Sequence, residues 1–198
     1  MKTLRIKVSK LWVFTSAMSL IFCVACGQTN KKLKGDEAIV HNNAAVDKPF
    51  IDFQTAILSD DLESVKQHIA YGTDLDQRDA MSGSTPLITA ASFGKSKIAQ
   101  ELIAAGADLH AKNNDGATAL HTAAFFCRIE IVQLLIDAKV DKSIKNNFGQ
   151  TARESVMSSF TEIKPVYEML KQQLQPIGLQ IDLNEIEKAR PVVAMMLQ

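Results

Sequence analysis

Cys127 and His121 stand six residues apart, a pairing that invites a thiolate nucleophile activated by an imidazole. The neighbourhood argues otherwise. Cys127 fills the slot that Gly94 holds 33 residues earlier. A lone small residue in a turn between helices acts by packing more often than as a thiolate. The four histidines, His41, His68, His110 and His121, have no second His, Cys or carboxylate at a spacing typical of a metal site. A Gly-rich phosphate loop, a G-x-S-x-G elbow and an H-E-x-x-H helix are all missing. Asp108 and Asp141 recur with a fixed period, which marks them as architectural. The sequence therefore offers no catalytic residue, no metal site and no cofactor, and it points away from an enzyme with a small-molecule substrate.

The remaining cysteines belong to a different chemistry. Residues 1–10 carry Lys2, Arg5, Lys7 and Lys10 with no acid, and residues 11–25, LWVFTSAMSLIFCVA, are apolar or small throughout. That run suits a signal peptide over residues 1–25 and falls short of the ~20 apolar residues of a spanning helix. Its end, Cys23-Val24-Ala25-Cys26-Gly27, resembles a bacterial lipobox, with Ala25 at the small position. The resemblance implies a diacylglycerol on Cys26 and fatty-acyl (palmitate-type) anchoring. Cys23 departs from the usual leucine, and cleavage by ordinary signal peptidase after Ala25 remains the alternative. Two or more acyl chains give stable membrane attachment where one is marginal. Gly27, where an aspartate would resemble inner-membrane retention, resembles outer-membrane sorting, which implies the periplasmic face in a Gram-negative envelope. Residues 27–48 are mostly polar and read as a flexible tether with a reach of ~25 Å.

Beyond the leader, 18 basic side chains face 22 acidic ones, a net charge of −4. A mildly acidic chain has no electrostatic reason to seek nucleic acid. A disulfide framework is excluded, because only Cys127 lies in the body.

The elements that position these residues follow from a period. Gly83, Gly116 and Gly149 are spaced by 33, as are Thr85, Thr118 and Thr151. Around them stand GSTPLITAA (83–91), GATALHTAA (116–124) and GQTARESVM (149–157). IAQELIAAGADLH (98–110) is followed at the same distance by IVQLLIDAKVDKS (131–143), and DLESVKQHIAYGTDLD (61–76) precedes them with a step of 34. Such a period signals stacked units that cannot bury their apolar faces alone. The glycines supply positive φ for a tight turn, the threonines cap a helix, and Pro86 suits its first position. Ala90, Ala91, Ala123 and Ala124 allow close helix approach, while Leu102, Ile103, Leu134 and Leu135 fill the next seam.

With its T-P-L-H-x-A-A helix start and G-A-D finger, the segment from about 50 to 160 resembles the ankyrin family. The resemblance implies an all-α solenoid of three to four helix-turn-helix units with finger loops, at about 50–79, 80–112, 113–146 and a degenerate 147–175. His121 then takes a structural role, tying neighbouring turns. In the fourth unit Arg153 replaces leucine and Val156-Met157 replace Ala-Ala, so this unit is expected to cap the stack, with an outer helix opened by Pro165. Residues 176–198 form a C-terminal tail or cap in which Asp182 caps a short helix through Leu183, Ile186 and Arg190.

The resemblance also implies a protein partner, held on the concave face of fingers and inner-helix ends. Carried over by position, the binding residues are Met81, Ser82, Phe93, Asn114, Asp115, Phe126, Asn147 and Phe148. Phe93, Phe126 and Phe148 read equally as interface anchors or as core, and Phe125 reads as core. The expected function is a membrane-tethered protein-binding module of the bacterial cell envelope. The alternatives are a self-assembling envelope component or a toxin-neutralising protein.

Overall fold

The computed structural model describes residues 47–198. Among them the chain is all helical and contains no strand. The signal peptide, Cys26 and most of the tether fall outside the described residues.

Three helix pairs follow one another: α1 (Phe53–Leu58) with α2 (Leu62–Tyr71), α3 (Pro86–Phe93) with α4 (Ser96–Ala104), and α5 (Ala119–Phe125) with α6 (Ile129–Asp137). Each first helix starts on a polar cap. The Asp52 carboxylate accepts from the Thr55 N–H, and the Thr85 hydroxyl from the Ile88 N–H. Helix ends turn on left-handed residues, Gly94 after α3 and Gly72 after α2. In the matching slots Asp60, Cys127 and Lys139 adopt φ of 62°, 53° and 62° without being glycine.

Inner helices α1, α3 and α5 pack side by side, and α2, α4 and α6 form a second layer on them. Ala90, Ala91, Ala123 and Ala124 are fully buried, which permits the close approach of α3 to α5. Val65, Leu102 and Leu135 fill the seams between layers and are equally buried. Each such aliphatic side chain contributes about 1.5–3 kcal/mol by leaving water.

The fourth unit differs from expectation. Its inner helix α7 (Ala152–Ser155) is a single turn, and α8 (Phe160–Leu174) begins five residues before Pro165 and runs through it. The outer layer is not continued by α8. It is continued by α9 (Leu183–Met196), which packs against α6, α7 and α5 and delivers Val193 and Leu197 to the main core. The Asp182 carboxylate caps α9 as anticipated, but the helix passes through Pro191 to Met196. Arg153, in the leucine position, donates to the Ala194 carbonyl at 3.2 Å and so fastens α7 to α9. Helix α8 instead joins a second core of Tyr167, Leu179, Ile181, Ile186 and Phe126. There the Tyr167 hydroxyl donates to the Phe125 carbonyl at 2.5 Å, and the buried Arg190 guanidinium donates to Tyr167 at 3.0 Å and to the Ser158 carbonyl at 2.9 Å.

Fingers precede each inner helix after the first, and they stack on one another. The Asn114 N–H donates to the Ser82 carbonyl at 2.9 Å, and its Nδ2 to the Met81 carbonyl at 3.1 Å. Asn147 repeats both bonds on Asp115 and Asn114 at 2.9 and 3.0 Å. Each asparagine Oδ1 occupies the space over the previous finger's glycine, 2.3 Å from where a Cβ of Gly83 or Gly116 would stand. Gly149 shares the positive φ, at 75°, but nothing lies within 4 Å of its Cβ position. We expect Gly149→Ala to cost about 1–2 kcal/mol through backbone conformation alone. Gly116→Ala should cost at least ~3 kcal/mol, because it also displaces Asn147. Urea unfolding of the two variants measures the difference.

Candidate functional site

The finger tips are the exposed part of the expected face. Met81 is 93% exposed and Phe148 73%, and Ser82, Asn114, Asp115 and Asn147 are also open to solvent. The two asparagines are nevertheless engaged, because their carboxamides hold neighbouring fingers together. Asp79 braces the first finger. Burial raises its pKa, but donation from the Ser82 hydroxyl and from the Ser82, Ser84 and Met81 N–H groups outweighs that and holds the carboxyl below its ordinary value.

Phe93, Phe126 and Phe148 do not stand together on the exposed face. Phe126 is buried, at 8% exposure, and Phe93 and Phe125 are half-buried against the second core. The reason is position along the helix. Fingers lead into the N-termini of inner helices, whereas Phe93 and Phe125 end α3 and α5, and Phe126 follows α5. At that far end α8 and residues 179–186 cover them. Phe125 stacks on Tyr167 at 4.7 Å and meets Phe126 edge-on at 5.1 Å. Of the two readings open for these rings, packing describes the buried Phe126 and in part the half-buried Phe93, and only Phe148 of the three presents its ring largely to solvent. Met157, 57% exposed just past α7, joins the open apolar side chains. The replacement of alanine by Val156-Met157 was its sequence signal.

Cys127 and His121 do not meet as a nucleophile and base. They flank opposite ends of α5, separated by about 9 Å of helical rise. Burial pushes the Cys127 thiol up to about 11, despite the nearby Arg190 and Arg128 charges, and the thiol faces the Ile186 carbonyl. A thiol that holds its proton is a poor nucleophile.

His121 works as a clamp. The Thr118 N–H donates to its Nδ1 at 3.3 Å, so the proton sits on Nε2, which donates to the Gln150 carbonyl of the next finger at 3.0 Å. In the following unit Glu154 takes over the first bond, accepting from the Thr151 N–H at 2.8 Å.

Two surface clefts lie elsewhere. One, of about 480 Å³, runs between α4, α6 and Met196. The other, of about 800 Å³, lies between the turn at Phe126–Ile129 and residues 180–189, with Lys164 and Lys171 on its rim. Neither includes a finger residue. Among the described residues, no three His, Cys, Asp or Glu side chains converge as a metal site would need. No helix there is long and apolar enough to cross a membrane.

Paired helices, capping threonines and stacked fingers recur at one period, and residues 53–146 match the family model for ankyrin repeats, in three copies. The fold is the ankyrin-repeat fold. Among solved structures, the crystal structure of the ankyrin repeat domain of Bcl-3, a unique member of the IkappaB protein family, is 29% identical with a TM-score of 0.51. That likeness covers 52% of this chain and 45% of the other. Among curated proteins, protein phosphatase 1 regulatory subunit 27 of Homo sapiens and of Mus musculus are each 51% identical over 61 residues, 31% of this chain. The chain spans 39% of the length of these relatives. Ankyrin repeats are protein–protein interaction modules, and an interaction role is the one the repeats carry here.

Two outcomes follow. Phe126→Ala should remove about 3–5 kcal/mol of stability, whereas Phe148→Ala should stay within about 0.5 kcal/mol of the parent, as read by thermal unfolding. Burial is the main force holding the His121 imidazole below its ordinary value. The unfolded chain therefore takes up a proton first as pH falls. Stability contributed by the neutral ring is complete above about pH 6.5 and declines below it. The urea midpoint should drop between about pH 7.5 and about 5.5, and the drop should shrink in His121→Gln, whose side chain still accepts from Thr118.

Proposed function

We propose that this protein is a lipid-anchored protein-binding module of a bacterial cell envelope, held on a tether so that its finger face meets a partner protein. The reading rests first on one observation of the described residues. Met81 and Phe148 are large apolar side chains left open on the finger tips of a fold whose trade is protein recognition. Aromatic and methionine side chains on an exposed rim supply the area that anchors an interface. Ser82 and Asp115 add polar contacts beside them. The address is supported by the basic residues before the apolar run, by Ala25-Cys26-Gly27 at its end, and by the polar stretch that follows.

The relatives from human and mouse are named as regulatory subunits, which accords with a role exercised by binding another protein rather than by catalysis. The partner proposed here is a protein, without cofactor, metal or nucleic acid.

Crosslinking in intact cells, followed by mass spectrometry of what is held, tests the binding face. Paired Met81→Ala and Phe148→Ala substitutions should reduce capture of one defined partner by at least about tenfold, the loss of a single anchor's contribution. The unfolding midpoint should be unchanged. Equal capture by the double variant would remove the finger tips from the interface. Cys26→Ala should move the protein from the membrane to the soluble fraction, and undiminished membrane retention would overturn acylation at that residue.

A further inference from the structure

The finger row ends on an unfilled place. Within the chain, one finger is received by the one before it through three features that recur together. A carbonyl at the residue before the glycine accepts a backbone N–H. The carbonyl one residue earlier accepts a carboxamide Nδ2. The glycine leaves room for the carboxamide Oδ1. Asn114 fills this set on Met81, Ser82 and Gly83, and Asn147 fills it on Asn114, Asp115 and Gly116. The third set, Asn147, Phe148 and Gly149, has the same left-handed glycine, with φ of 75° against 67° and 71°. Among the described residues nothing donates to its two carbonyls, and open space lies over Gly149. The segment after α7 does not cover it: α8 and the start of α9 lie at the far ends of the inner helices, and the end of α9 meets α7 through Arg153 and Ala194 without a bond to Asn147, Phe148 or Gly149.

We infer that Asn147, Phe148 and Gly149 form a docking seat for an asparagine-bearing turn of a partner protein, received as Asn114 and Asn147 are received inside the chain. This deepens the protein-binding reading above and rests on it. The interface would continue the finger row, so its chemistry is known from two copies on the same molecule. The seat offers two carbonyl acceptors and a hole that accommodates an amide oxygen, and the exposed Phe148 ring flanks it with apolar surface. An aspartate, an alanine or a leucine at the partner's tip would lose the Nδ2 donor.

A second copy of this chain does not fit. Its leading finger carries Met81 at the asparagine position, and the Met81 N–H already donates to the Asp79 carboxylate at 2.8 Å. End-to-end stacking would thus supply neither donor.

The test uses the full-length, ¹⁵N-labelled chain in detergent micelles. The probe is a cyclised peptide of the chain's own second finger, residues 112–117, Lys-Asn-Asn-Asp-Gly-Ala. Amide shifts should move at Asn147, Phe148, Gly149 and Gln150 and saturate in the millimolar range. Gly149→Ala fills the hole with a Cβ while leaving the fold intact, and it should weaken binding by at least about tenfold. Alanine in the peptide at the residue equivalent to Asn114 should do the same. No shift at the highest peptide concentration, or shifts that persist in both controls, would overturn the seat. Dilution of the chain alone should leave these four amides unmoved, and concentration-dependent shifts there would replace the partner protein by a second copy. If the peptide fails while Phe148→Ala still abolishes capture in cells, the seat is lost and the binding module stands.

Discussion

No helix pair in this protein can cover its own apolar side, and the rest of the structure depends on that constraint. Val65, Leu102 and Leu135 are buried because the next pair lies over them, and the alanine pairs at 90–91 and 123–124 set how closely it lies. Stability in such a stack is a sum of units and interfaces, so both ends must be closed by something other than another repeat. At the C-terminal end the closing piece is α9, which takes the outer-layer position while α8 is diverted to the side. Its attachment is polar as well as apolar. Arg153 and Arg190 give their donors to carbonyls at Ala194 and Ser158, and Arg190 also to the Tyr167 hydroxyl, so the buried guanidinium has partners.

The regular part of the fold was legible because each recurring residue has a local physical task. A glycine at positive φ, a threonine at a helix start and paired alanines in a seam are required by backbone geometry and close packing, whatever lies far away. The fourth unit was not legible in the same way. Its α8 is amphipathic and sits at the right distance, so periodicity places it in the outer layer. Which of two amphipathic helices wins that position depends on contacts made across 40 or so residues, such as Arg153 with Ala194. Neither residue advertises the other in sequence.

The aromatic residues show the same limit from the side of function. Phe126 and Phe148 are the same chemical group, and composition cannot tell an interface anchor from a core ring. What separates them is which end of an inner helix they occupy and whether a later segment covers that end. Tyr167, Leu179, Ile181 and Ile186 provide the cover for Phe126, and none of the described residues does so for Phe148. The asparagines were visible as finger residues, but their use was not. A carboxamide at a loop tip looks like a free binding group until the neighbouring carbonyls are placed. Here each one is committed to the finger before it.

This division of the inner helices has a consequence for how the molecule is built. The C-terminal ends of α3 and α5 are sealed by α8 and the start of α9, which fixes the stack and leaves Cys127 half-buried, its thiol pKa pushed up by desolvation. Their N-terminal ends carry fingers joined by backbone and carboxamide hydrogen bonds, with little apolar burial between them. Hydrogen bonds of that kind contribute about 0.5–1.5 kcal/mol each, while the aliphatic seams between helices contribute more per side chain. The folding free energy is thus concentrated away from the fingers, and changes at Met81, Asp115 and Phe148, whose side chains hold no neighbouring finger, are cheap. A surface whose side chains add little to stability is free to be shaped by a partner, and the scaffold that makes this possible is the oily seam behind it.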